Sequence, residues 1–179
     1  MNMFTPNPIK RWKVQIPKIP YCSFWVSGKP RATPRIQAFR RGKFVGTTTP
    51  DTADDWKALV AIESKPLLPQ TPIPAAIICE LTLVFPRPQR LCRKRDFKGP
   101  ILMTKKPDPD NCYKAVSDIL TNIGMWRDDC LICDAHITKW YHAIGEGPGA
   151  HIEIDSVLLE EYNRVNRALA LMREEPDNG

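Results

Sequence analysis

The sequence predicts an α/β (α+β) fold in which a small sheet packs against helices, and three observations carry that expectation. Ala75 to Phe85 is a near-continuous apolar run, the mark of a strand buried on both faces. Cys112, Ala115, Val116, Ile119, Leu120 and Ile123 fall at offsets of 0, 3, 4, 7, 8 and 11, which is one face of an α-helix. Tyr21 to Ser27, Cys130 to Tyr141 and Ala150 to Ile154 carry β-forming residues and are set apart by turn residues. A chain of 179 residues suffices for one sizeable core. The division expected is a basic, proline-rich arm over 1–20, a folded unit over 21–155, and a C-terminal helix and tail over 156–179.

In chain order, Met1 to Pro20 mixes Pro6, Pro8, Pro17 and Pro20 with Lys10, Arg11, Lys13 and Lys18, an extended arm that is either solvated or laid on DNA. Gly28 to Pro34 reads as a turn bearing Lys29 and Arg31, and Ala38 to Val45 as a hairpin whose tip, Arg40-Arg41-Gly42-Lys43, is basic. Thr49-Pro50-Asp51 opens a helix with acids in its first turn and Lys65 near its end, with Trp56, Leu59 and Val60 expected in the core. Lys65 to Pro74 holds four prolines and reads as a linker. Within the following strand Glu80 either faces outward or joins a metal site. From Arg87 to Lys106 eight cations stand against one acid, Asp96, and lead directly into an acidic stretch. Phosphate contact is expected there through Arg93, Lys94, Arg95, Lys105 and Lys106. Phe97, in the middle of the run, either inserts between unstacked bases or covers the loop. Beyond Ile154, Leu158, Tyr162, Val165, Leu169 and Met172 recur at spacings of 4 and 3, a short coiled-coil seam for this subunit or a partner.

The chemistry is concentrated between Lys106 and Asp129. Asp110 is placed to cap the helix and Gly124 to end it. Pro107 and Pro109 favour extended geometry for the residues before them, which would point Asp108 and Asp110 to one side. The helix rises about 20 Å at ~1.5 Å per residue, and Gly124 to Asp129 returns a similar distance at ~3.3 Å per residue, so Asp129 is expected beside Asp110. Three converging carboxylates need a cation, and oxygen-only ligation favours Mg²⁺ or Mn²⁺. Lys114, one turn past Asp110, faces the same point and suits a phosphate. Asp118 reads as an intrahelical partner of Lys114, and Asp128 as a capping or supporting residue.

Lys106-Pro107-Asp108-Pro109-Asp110-Asn111, Lys114-Ala115-Val116 with Asp118, and Trp126-Arg127-Asp128-Asp129 together resemble the signature of the RusA-type Holliday junction resolvases, a family common in phages and prophages; Val26-Ser27-Gly28-Lys29-Pro30-Arg31 resembles its opening strand and turn. The resemblance spans roughly Ser23 to Asp155. It implies a small mixed sheet with helices, a homodimer, and Mg²⁺-dependent cleavage of four-way DNA junctions. By the same resemblance Asp108, Asp110, Lys114 and Asp129 are the catalytic set, with the three aspartates holding metal. Pro109 stands where the family usually has an aliphatic residue, and Leu131 where it often has glutamine.

The net charge of +6, with a net-acidic final stretch, places the basic excess in the body of the chain, which suits a polyanion. No run of 18 apolar residues could span a bilayer, and the first 20 residues lack a signal-peptide centre, so a cytoplasmic protein without a membrane partner is expected. The six cysteines are expected as reduced thiols. Cys130-Leu131-Ile132-Cys133 has the spacing of a zinc or redox pair, yet no second pair accompanies it and strand residues three apart face opposite ways. His136, His142 and His151 read as surface or packing residues, and Lys139 as a phosphate contact or a surface lysine. The functional expectation is a structure-specific endodeoxyribonuclease. A non-catalytic branched-DNA-binding protein and a flap- or fork-specific metal-dependent nuclease are the alternatives.

Overall fold

A computed structural model describes residues 18–34, 37–48 and 53–157. Residues 1–17 of the expected arm and the seam from Leu158 to Met172 lie outside the described residues, while Ile19 and Pro20, expected in the arm, open the first strand and Lys18 is ion-paired to Glu80. Strands β1 (Ile19–Ser27), β4 (Ala76–Phe85), β5 (Ile101–Leu102), β6 (Ile132–Tyr141) and β7 (Gly149–Val157) form one sheet in the order β1-β7-β4-β6-β5. Only β4 and β6 run parallel; their connection contains helix α2 (Pro109–Asn122), as a parallel pair requires a crossover. A separate antiparallel hairpin, β2 (Gln37–Arg41) and β3 (Phe44–Thr48), turns at Gly42, whose φ of +65 suits a tight two-residue turn.

Helix α1 (Asp54–Ser64) and α2 cover one face of the sheet. Ile77, Leu81, Leu83 and Phe85 of β4, Val26 of β1, and Ile152 and Ile154 of β7 meet Trp56 and Val60 of α1 and Cys112, Ala115, Val116 and Leu120 of α2. Each is buried, and full burial of one such side chain contributes about 1.5–3 kcal/mol. The expected positions of Trp56 and Val60 hold, but Leu59 is 37% exposed, because the stripe that α1 presents to the core is narrower than its apolar content. The acids Asp54 and Asp55 do stand in the first turn of α1, complementing its dipole.

The outer face of the sheet has no helical cover among the described residues. Register places Glu80 opposite both His136 and Glu153, and Ile78 opposite both Asp134 and Asp155, so four carboxylates share that face. Lys18 bridges two of them, Glu80 at 2.7 Å and Asp155 at 3.4 Å. Glu80 therefore faces outward in an ion pair: the Lys18 ammonium holds its carboxyl below the usual range. The proline-rich segment before β4 is more than a linker, since Ile73 is buried and bridges Trp126.

Candidate active site at the start of helix α2

Helix α2 begins two residues earlier than its apolar period suggests. Asp108 occupies the N-cap in extended geometry (φ −72, ψ 140) and Pro109 is the first helical residue, where its fixed φ is pre-organised and its missing amide is no loss. Asp110 thus lies inside the first turn instead of capping it, and the two aspartates do not share one extended segment. Asp110 and Lys114 are one turn apart on the exposed side. Ser117, between Lys114 and Thr121 along the helix, is buried; its hydroxyl donates to the Lys114 carbonyl at 3.3 Å, which satisfies it within the helix.

The approach to Asp108 is pinned from two directions. The Lys139 ammonium, on β6, donates to the carbonyls of Lys105 (2.7 Å) and Pro107 (2.6 Å), and the Lys106–Pro107 peptide is cis. The Thr33 amide donates to the Asn111 carbonyl at 3.0 Å, which brings the loop carrying Lys29 and Arg31 against the helix start. Between them lies a cleft of about 380 Å³ lined by Ala32, Thr33, Lys106, Pro107, Asp108 and Asn111. Beneath it the buried Cys112 thiol is pushed up to about 11 by burial, against the opposing pull of Lys139 and with a push from Asp110 and Asp108. Those four groups are therefore within electrostatic reach of one another. A larger cleft, about 820 Å³ and lined by Trp25, Val84 and Trp140 among others, lies at the uncovered face of the sheet, away from this chemistry.

The chain doubles back at Gly124 as expected. Gly124 (φ +84) donates to Thr121 and Met125 to Leu120, the paired bonds of a Schellman ending. Ile73 then accepts from Arg127 and donates to Met125, both at 3.2 Å, while Trp126 is buried with its indole donating to Thr121 at 2.7 Å. Asp128 caps the following turn by accepting from the Cys130 amide at 2.8 Å, a bond that lowers its carboxyl pKa. Asp129 is exposed at the head of that turn. Its charge acts on Tyr113, whose phenol is pushed up chiefly by burial, with the Cys79 thiol and Asp129 adding to it. Asp108 and Asp110 thus act on Cys112, and Asp129 on the adjacent Tyr113.

Among the described residues, no three His, Cys, Asp or Glu side chains stand in an arrangement that could hold a metal ion. Asp108, Asp110 and Asp129 are therefore near the first turns of α2 without forming a ready-made cage. The donor set still suits a hard divalent ion. All three ligand candidates are carboxylates, Asp110 and Asp129 are exposed, and the buried Thr33 hydroxyl beside Asp108 has no hydrogen-bond partner among the described residues.

The cations expected to meet DNA, Lys29, Arg31, Arg93, Lys94, Arg95, Lys105 and Lys106, are all exposed, as is Lys114. Arg87, in the same basic run, is not: it is 7% exposed and donates to the carbonyls of Leu91, Phe97 and Gly99. Phe97 is 68% exposed with its ring over Gly99. All six cysteines are free; Cys130 and Cys133 are both exposed. Lys139 and Arg87 are the two residues whose roles the sequence did not disclose.

The family model for "Endodeoxyribonuclease RusA" matches residues 27–155, well over half the chain. A similar curated protein is "Uncharacterized protein YqaN" of Bacillus subtilis (strain 168), 27% identical over 139 residues that cover 75% of this chain and 95% of that protein. No helix among the described residues is long and apolar enough to cross a membrane. The match runs from the last residue of β1 through most of β7, and so takes in β4, β5, β6, both helices, and the aspartates and lysine at the start of α2; the chain belongs to the RusA endodeoxyribonuclease family, whose members are Holliday junction endonucleases.

Proposed function

We propose that this protein resolves four-way DNA junctions as a homodimer, nicking opposing strands in pairs with Mg²⁺, or Mn²⁺ in its place. Asp108, Asp110 and Asp129 hold the ion, and Lys114 neutralises charge on the phosphate. The observation that carries the reading is the first turn of α2, where Asp110 and Lys114 share an exposed side, Asp108 stands at the N-cap position, and the Lys29–Arg31 loop abuts it. A bound divalent ion supplies Lewis acidity to the scissile phosphate. The chain's own part is to place the strand. Lys29, Arg31, Lys105 and Lys106 meet phosphates around the cleft, Arg93, Lys94 and Arg95 meet them from the preceding loop, and Lys114 donates to an oxygen that becomes more negative as the bond breaks. A four-way junction has near two-fold symmetry, which two identical sites on a dimer would match. Residues 21–155 form the nuclease unit of this reading, with the two terminal stretches as appendages. A DNA substrate puts its work in the cytoplasm.

The scattered state of the three carboxylates favours one rival, a junction-binding protein without turnover. One set of assays decides. Labelled synthetic four-way junctions, flaps, forks and duplexes are incubated with protein, with and without Mg²⁺. Paired nicks in the junction, lost in Asp110→Asn and in Asp129→Asn with binding retained, are expected. Tight binding without cleavage would establish the rival, and preferential cutting of flaps or forks would reassign the substrate.

A further inference from the structure

We infer that Lys139 is a positioning residue for the acidic site, the internal cation that sets where Asp108 stands. The inference rests on the nuclease reading for its purpose, but its observations are independent of it. Strand β6 is zipped to the segment before the site by a short ladder: Ile101 pairs with Tyr141, Leu102 with Trp140, and the Met103 amide donates to the Lys139 carbonyl at 2.9 Å. Beyond Met103 the ladder ends, because the chain leaves the strand to reach the helix start. Two carbonyls just before Asp108, those of Lys105 and Pro107, are taken up by the Lys139 ammonium instead, at 2.7 and 2.6 Å. One residue thus holds the segment twice, by its backbone and by its side chain.

The chemistry suits a lysine. A tetrahedral ammonium directs two of its three donors to carbonyls on either side of the cis Lys106–Pro107 peptide, and bonds to a charged donor are the strong ones. The amine is half-buried and committed to the backbone, so its charge is spent on the site's shape, not on a DNA phosphate.

The test compares wild type, Lys139→Met and Lys139→Arg, full length. In Lys139→Met, amide exchange over Thr104 to Asn111 should accelerate. The Mn²⁺ concentration for half-saturation, followed by the loss of free-ion electron paramagnetic resonance signal, should rise about 10- to 100-fold, as for the loss of groups that orient metal ligands. Single-turnover cleavage of a synthetic four-way junction should fall by a similar factor. Junction affinity without divalent ion, and its dependence on salt, should stay at the wild-type level. Lys139→Arg, which keeps charge and donors, should recover part of each loss. If Lys139→Met does not fold, Lys139→Gln carries the same comparisons. Unchanged exchange together with a salt slope smaller by about 0.9, the signature of one lost phosphate contact, would overturn the inference. So would wild-type exchange and ion binding in the Met variant. If wild type itself leaves junctions intact, the nuclease reading falls, while the exchange and ion-binding measurements still decide the role of Lys139.

Discussion

Arg87 offers the sharpest test of how the basic loop is built. Its guanidinium is buried and spends three donors on one loop: Nε to Leu91 O at 2.9 Å, Nη1 to Gly99 O at 2.9 Å and Nη2 to Phe97 O at 2.6 Å. The loop closed in this way carries Arg93, Lys94 and Arg95. Arg87→Met keeps the apolar stem and removes every donor. A bond from a charged donor contributes about 1.5–3 kcal/mol net, so three would sum to about 4.5–9 kcal/mol if the freed carbonyls stayed buried. They need not stay buried, because the loop can open and return them to water, although it is also tied by Asp96 to the Arg93 amide (2.7 Å) and by Lys98 O to the Ile144 amide (2.8 Å). The global loss expected is therefore about 2–4 kcal/mol, within the range for a broken buried network. For a protein of this size that is a fall of roughly 5–15 °C in Tm. Urea and thermal melts measure it, and amide exchange over residues 88–100 should rise selectively. Junction affinity should weaken, because the three exposed cations lose their fixed spacing. A variant with wild-type Tm and unchanged loop exchange would refute the claim that this guanidinium holds the loop.

Two further perturbations test the scaffold. In Gly124→Ala an added Cβ meets only Pro72 Cγ, at 3.8 Å, so the cost is the left-handed backbone alone, about 1–2 kcal/mol and a Tm lower by several degrees; a thermal melt indistinguishable from wild type would contradict the helix ending described. The buried thiols predict alkaline lability. Burial raises Cys22 and Cys112 to about 11 and Cys79 to about 12 from an ordinary value of 9.0. A raised folded-state pKa gives stability that is complete below the unfolded value and is lost as pH rises toward the folded one. The urea midpoint should therefore hold to about pH 9 and decline from there to pH 11, by at most about 1.4 kcal/mol per pH unit per thiol. Cys79→Ala with Cys112→Ala should flatten that decline, and an equally steep fall in the double variant would assign it to other groups.

What the sequence disclosed and what it withheld follow one physical division. Helix α2 was legible because its core stripe is long and regular and its ending needs a glycine. The start was misjudged because two rules compete there: Asp110 is a good cap, but Pro109 is a better first helical residue, and the latter wins. Buried strands β4 and β7 were readable from apolar content, and of the two roles open to Asp128, capping or supporting, it takes the first, over a turn the sequence did not show. Side chains whose environment is made by distant backbone were not readable. Arg87 and Lys139 look like members of a basic surface, and only the tertiary path of residues 88–107 turns both inward to carbonyls. Leu59 departed from expectation for a related reason: helical period gives a face, while the width of the buried stripe depends on what lies opposite. Length arithmetic brought Asp129 back toward α2, but it sets reach and not side-chain direction.

The uncovered side of the sheet bears on how this molecule would meet a polyanion. Among the described residues Glu80, Asp134, Glu153 and Asp155 make one broad side electronegative, with Lys18 neutralising only part of it, whereas Lys29, Arg31, Lys105, Lys106 and Lys114 are exposed on the loop, segment and helix that meet where α2 begins. The protein is thus an electric dipole as well as a net cation. Nucleic acid approaching the wrong side is turned away by like charge, and the torque of its field swings the other edge forward, so orientation is selected during diffusion, before any specific contact forms.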